Sequence, residues 1–138
     1  MKILFIIMGI SLLGCFFIPN SYIKDFVSDK ESMRNAINNL LTILTFLSGF
    51  ILLILPMKVN SSNQKPTVQA RLHTYLIKRN RFLTVLFFLF IFEMLLLISL
   101  LFSINCWVLK LSFVLFGILV IAIIRLFFII REYVEYSE

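Results

Sequence analysis

The stretch FLTVLFFLFIFEMLLLISLLFSI, residues 82–104, decides the fold. It is almost unbroken hydrocarbon with one carboxylate, Glu93, near its centre. As an α-helix rising about 1.5 Å per residue it spans roughly 34 Å, slightly more than the roughly 30 Å apolar core of a bilayer. An acid at the centre opposes insertion by about 2.5–3.5 kcal/mol on insertion scales. The surrounding Leu, Ile, Phe and Val residues each favour it by roughly 0.3–0.6 kcal/mol, and together they outweigh the acid. The segment is predicted to insert with Glu93 inside it.

Composition agrees with that reading. The 138 residues are 61% hydrophobic and 14% charged, with a mean hydropathy of +1.03, which leaves no room for a soluble catalytic domain beside the apolar segments. Sixteen Phe spread through these runs suit lipid-facing helices. Cys15 and Cys106 make neither a disulfide framework nor a zinc site. No Gly-rich phosphate loop, nucleophile elbow, HExxH or paired metal ligand occurs, and His73 stands alone as a surface residue. The expectation is therefore no enzyme, no cofactor and no metal. The net charge of +6 is read as topology rather than as nucleic-acid binding.

On the C-terminal side of 82–104, Ser103-Ile104-Asn105-Cys106-Trp107 reads as a tight hairpin with Trp107 at the interface. A fourth span follows at about 107–130, with Lys110 snorkelling outward near its start and Arg125 inward near its end. The tail REYVEYSE is short and polar. On the N-terminal side lies the basic loop 58–81. Its NSSNQKP part, 60–66, is a flexible linker. Beyond it, TVQARLHTYLIKRNR carries Val68, Leu72, Tyr75 and Leu76 at helical spacing and Arg71, Lys78, Arg79 and Arg81 elsewhere. This is a short basic amphipathic helix before the third span, lying on the anionic leaflet or docking a cytosolic partner.

The second span, 37–57, is stopped by Pro56 and Lys58. Asn38, Thr42, Thr45, Ser48 and Gly49 fall on one of its faces. Such a face packs against another helix or lines a wet pore, and both readings stand. The first span, 3–18, is short and ends at Pro19. Two readings are open there: an uncleaved anchor, which is preferred, and a lipoprotein signal with Cys15 as the lipidated residue. Between these spans, Tyr22, Ile23, Phe26 and Val27 make a short apolar face. Ser28 with Glu31 fits a capping box opening a helix that runs into the membrane, while plain solvated loop charges are the alternative.

The 58–81 loop holds Lys58, Lys65, Arg71, Lys78, Arg79 and Arg81 and no acid, so the positive-inside rule puts it in the cytoplasm. The expected fold is all-α, a single four-span membrane domain over 1–138 with both termini cytoplasmic. Counting residues from the cytoplasmic ends then sets depth. Glu93 comes level with Ser11 and Gly14 of the first span, with Thr42, Thr45, Ser48 and Gly49 of the second, and with about Gly117 of the fourth. A mid-membrane polar cluster is expected, with Gly14, Gly49 and Gly117 as packing positions. Burial in hydrocarbon disfavours a charged carboxyl, so Glu93 is expected to be neutral. It either fastens helices or lines an aqueous path, and a path needs several copies because four helices enclose little space.

The layout, with LTILTFLSG (41–49) in the second span and FEMLLLIS (92–99) in the third, resembles RexB, the small membrane component of lambdoid prophage exclusion systems. The resemblance implies a four-span channel of the bacterial inner membrane that depolarises the cell when a cytosolic sensor detects infection. It carries over no site residue. The expected function is an oligomeric, channel-like effector whose partners are the bilayer, further copies of itself and a cytosolic sensor. The alternative is a non-conducting membrane anchor or assembly subunit for a cytosolic partner.

Overall fold

A computed structural model describes residues 2–55 and 65–137. Five helices follow one another: α1 (Lys2–Phe17), α2 (Asn20–Val27), α3 (Lys30–Ile54), α4 (Pro66–Phe102) and α5 (Cys106–Ser137). By length and composition α3, α4 and the Cys106–Arg131 part of α5 are apolar enough to cross a membrane. The chain is thus an all-helical, multi-pass membrane protein. α1, with 16 residues, is about 24 Å long, short of an apolar core of roughly 30 Å.

The chain breaks where local chemistry requires it. Pro19 has no N–H to continue α1 and stands extended, at φ −63° and ψ 143°, immediately before α2. Between α2 and α3 the cap differs from the expected box. Asp29 caps α3, its carboxylate accepting from the amides of Glu31 and Ser32, both at 3.2 Å, and from the Ser32 hydroxyl at 2.6 Å. Ser28 turns the other way and donates to the Asp25 carbonyl at 2.6 Å, closing α2. Asp29 stands directly before the first helical turn and presents two acceptors to it, so it displaces Ser28 from the role. As expected, α3 runs from there without interruption to Ile54. The hairpin between α4 and α5 is set by Asn105, whose side-chain oxygen accepts from the Trp107 amide at 2.9 Å.

The basic amphipathic segment is helical but is not a separate helix on the leaflet. It is the first half of α4, a single helix of 37 residues and about 55 Å. No Gly or Pro interrupts residues 67–102, so nothing lets the chain turn at Arg81. Its apolar face is closed by the protein itself: Leu72 and Tyr75 are buried. α5 likewise continues past the expected end at 130 to Ser137. The linker Asn60 to Gln64 and the expected stop at Pro56 and Lys58 lie outside the described residues.

α4 is the central helix. Of its apolar stretch 33% is buried, against 17% in each of α3 and α5. α3 begins beside the end of α4, where Arg34 and Ile37 line a cleft with Leu100 and Ile104. α1 lies antiparallel to α5, with Gly14 against Val114 and Phe16 edge-on to Trp107 at 5.6 Å. α1 and α4 therefore run one way, and α3 and α5 the other. Large apolar side chains cover the outside: Phe46, Phe102, Phe127, Leu53 and Ile121 are all at least two-thirds exposed. In water this surface would aggregate; in lipid it is at home.

Two outcomes follow from the local geometry. A Cβ on Gly14 would meet Val114 Cγ1 at 3.0 Å, whereas one on Gly9 would meet nothing within 4 Å. Both substitutions gain the same helix propensity, so only packing separates them. Gly14→Leu should lower stability in detergent by about 1–3 kcal/mol relative to Gly9→Leu, read from thermal or denaturant unfolding. The second concerns Asp29, whose carboxyl the Ser32 hydroxyl and the capped amides hold below its ordinary range. A depressed pKa gives stability that is present above the unfolded value of about 3.9 and is lost as pH falls through the folded one. Amide exchange at Glu31 and Ser32 should lose protection in that acid window, and Asp29→Asn should show no such dependence.

Candidate functional site

Reading α4 by its buried side explains where Glu93 goes. Leu72, Tyr75, Arg79, Leu83, Leu86, Phe90, Glu93, Leu97 and Leu100 are buried at successive steps of three or four residues. That is the seam of a helix packed along its whole length against neighbours. Glu93 occupies a seam position and is 1% exposed. α5 offers a matching stripe, with Ser112, Leu115, Leu119 and Ile129 buried. Across this seam Ser112 donates its hydroxyl to Glu93 Oε1 at 2.5 Å. The other carboxyl oxygen, Oε2, is buried and has no hydrogen-bond partner among the described residues. The pair is a polar tie through an apolar contact, made with a hydroxyl rather than a cation. Neither Lys110 nor Arg125 is hydrogen-bonded to it.

The depth count puts about Gly117 opposite Glu93, whereas the structure places Ser112 there. α4 ends at Phe102 and α5 begins at Cys106, so the turn is centred on Ile104 rather than Asn105 and the pairing shifts toward the start of α5. Rotation does the rest. At 3.6 residues per turn, residue 117 faces away from the stripe of 112, 115 and 119, and Gly117 is exposed with nothing within 4 Å of a Cβ there. Ser112 is the only hydroxyl residue in 107–130. That singularity is the signal that could have found it.

The other cluster residues stand elsewhere. Ser11 is buried, but its hydroxyl donates to the Ile7 carbonyl of its own helix at 2.8 Å; it lines a cavity of about 40 Å³ with Phe92, Leu111 and Leu115. Thr42 and Thr45 are exposed and donate to Asn38 and Leu41 carbonyls at 3.0 and 2.7 Å. Ser48 donates to the Thr45 carbonyl at 2.8 Å. The buried side of α3 is Met33, Ile37, Leu44 and Ile51, so its polar stripe turns away from Glu93. Gly49 has nothing within 4 Å of a Cβ, and of the three packing glycines only Gly14 touches a neighbour.

The basic residues divide as well. Arg71, Lys78 and Arg81 are exposed. Arg79 is 8% exposed within the seam, its guanidinium donating from Nε and Nη2 to Asn80 Oδ1 at 3.2 and 3.0 Å. Lys110 is 7% exposed and lines a cleft at the turn end with Asn20, Lys24 and Trp107, its Nζ 5.4 Å from the Trp107 ring centroid in a cation–π contact. Cys15 is buried at the α1 side of the bundle, its thiol donating to the Ser11 carbonyl at 3.2 Å.

A double-mutant cycle measures the tie. Interhelical hydrogen bonds in membrane proteins average about 0.6 kcal/mol and reach about 1.7. Ser112→Ala should destabilise the protein by about 1 kcal/mol in denaturant titration of the detergent-solubilised chain, because it strips Glu93 of its partner. Glu93→Gln should lose less, since the amide still bonds Ser112. Glu93→Met combined with Ser112→Ala should recover the loss. Compared with known proteins, the chain matches no family model, no curated protein and no solved structure.

Proposed function

We propose that this chain is a multi-pass protein of the bacterial inner membrane, with four spans near 3–18, 37–57, 82–104 and 107–130 and both termini cytoplasmic. In this reading it acts as an oligomeric, channel-like effector that depolarises the membrane in phage exclusion. The observation that carries it is the direction of the α3 polar stripe. Asn38, Thr42 and Thr45 are exposed, on a helix whose other outward residues include Phe46, Phe50 and Leu53. A stripe of hydroxyls with an open Gly49 invites another helix to approach closely, and among the described residues no helix covers Thr42 or Thr45. Further copies supply that helix, and the ring they form encloses the path that one protomer is too small to hold.

The six bases and absent acids of 58–81 support the orientation. The likeness of 41–49 and 92–99 to RexB supports a cytosolic sensor as the trigger. Glu93 lies in the closed α4–α5 seam, so within a protomer it fastens rather than lines. A second reading, a non-conducting anchor or assembly subunit, is favoured by a different observation. α4 continues for residues 66–81 beyond its most apolar stretch, about 24 Å of helix with Arg71 and Lys78 exposed. Such an arm suits presentation to a soluble partner.

A membrane-potential dye separates the two. Expression with the sensor present and triggered should depolarise the cells, and Thr45→Leu with Gly49→Leu should abolish both depolarisation and chemical cross-linking between copies. An unchanged potential with the sensor still co-purifying would leave the anchor reading.

A further inference from the structure

One flank of the bundle carries a groove that neither the seam nor the α3 stripe uses. It runs between α1, α4 and α5, encloses about 860 Å³, and is walled by apolar residues that include Ile7, Val85, Leu89, Ile118 and Ile121. Lys78, Arg81 and Arg125 also line it. The three cations share one end. Starting from the Glu93–Ser112 contact, Arg81 lies twelve residues back along α4 and Arg125 thirteen residues on along α5. The helices are antiparallel, so both guanidiniums stand about 18–20 Å from that contact on the same side. There the apolar stretch 82–104 begins, at the level of the headgroups. Arg81 and Arg125 are exposed, and among the described residues neither is held by a hydrogen bond or ion pair.

We propose that this groove is a binding site for an anionic phospholipid, its acyl chains along Val85, Leu89, Ile118 and Ile121 and its phosphate between Arg81 and Arg125, with Lys78 beside them. Charge complementarity on an amphiphile's template favours this occupant. Two guanidiniums at headgroup depth match a phosphate diester in geometry as well as charge. The long apolar walls below match its chains. A second copy of this chain seated on this flank is a poor occupant, because a symmetric contact here would set Arg81 and Arg125 against their own counterparts. The site does not depend on whether the assembly conducts.

The test uses the full chain reconstituted in vesicles of equimolar phosphatidylcholine and phosphatidylglycerol, then extracted in mild detergent for native mass spectrometry. Retained lipid should be enriched in phosphatidylglycerol. Arg81→Gln with Arg125→Gln should weaken that enrichment by about thirty-fold, each basic side chain near a headgroup contributing about five-fold. Lys24→Gln with Arg34→Gln, at the opposite end, should leave it intact. Ile121→Trp fills the groove while keeping every cation, and it too should expel the lipid, so the site remains testable if the double arginine variant fails to fold. Excess inorganic phosphate should not compete, since it lacks the chains. Equal retention of the two lipids would overturn the proposal. So would enrichment that survives both the arginine and the Trp variants, displacement by phosphate alone, or a dimer whose contact maps to this flank.

Discussion

The α4–α5 seam is the constraint on which the rest of the structure depends. Lipid tails are as apolar as Leu, so helices in a bilayer gain nothing from hiding hydrocarbon as such; they associate through close packing and polar ties. α4 meets this requirement with buried residues at three- and four-residue steps from Leu72 to Leu100. α5 answers with Ser112, Leu115, Leu119 and Ile129. Within so uniform a contact many registers would pack almost equally well. The Glu93–Ser112 bond distinguishes one of them, because sliding the helices by a turn would leave a carboxyl group in hydrocarbon with no partner at all.

Everything else is arranged around that hairpin. α3 lies along α4 through Met33, Ile37, Leu44 and Ile51. α1 lies on α5, where the absence of a side chain at Gly14 lets Val114 approach closely. At the turn end, Phe16 meets Trp107 edge-on and Lys110 lies over the Trp107 ring, which closes α1 onto α5. Because α4 sits centrally, the surfaces left over are distinct in character. α3 shows Thr42 and Thr45 to the outside, the α1 flank shows an apolar groove with a cationic end, and elsewhere along the apolar stretches the outside is mainly Phe, Leu and Ile. The faces thus differ in chemistry from one side of the bundle to the other.

The continuous α4 changes how the basic segment is understood. Had the chain bent at Arg81, its cations would lie in the headgroup plane and its apolar side would face lipid. As one rod, Leu72 and Tyr75 are buried and Arg79 is drawn into the seam against Asn80, while Arg71, Lys78 and Arg81 remain outside. A stretch that looks uniformly basic is thus divided by helical rotation into a seam position and an exposed set.

Much of this was written in the amino-acid order. Hydropathy located the apolar parts of α4 and α5, and Pro19 and Asn105 marked breaks. The single acid in 82–104 announced an interior position, and Glu93 is indeed buried. Tertiary structure alone decided what that acid touches. Counting residues along a helix measures depth but not azimuth, so the hydroxyls of Thr42 and Thr45 share a level with Glu93 while facing outward, and Ser112 rather than Gly117 meets it. Lipid contact and protein contact both select apolar side chains, so periodic hydropathy does not mark the inner face of such a helix. Only the packing of α4 against α5 tells the two apolar faces apart.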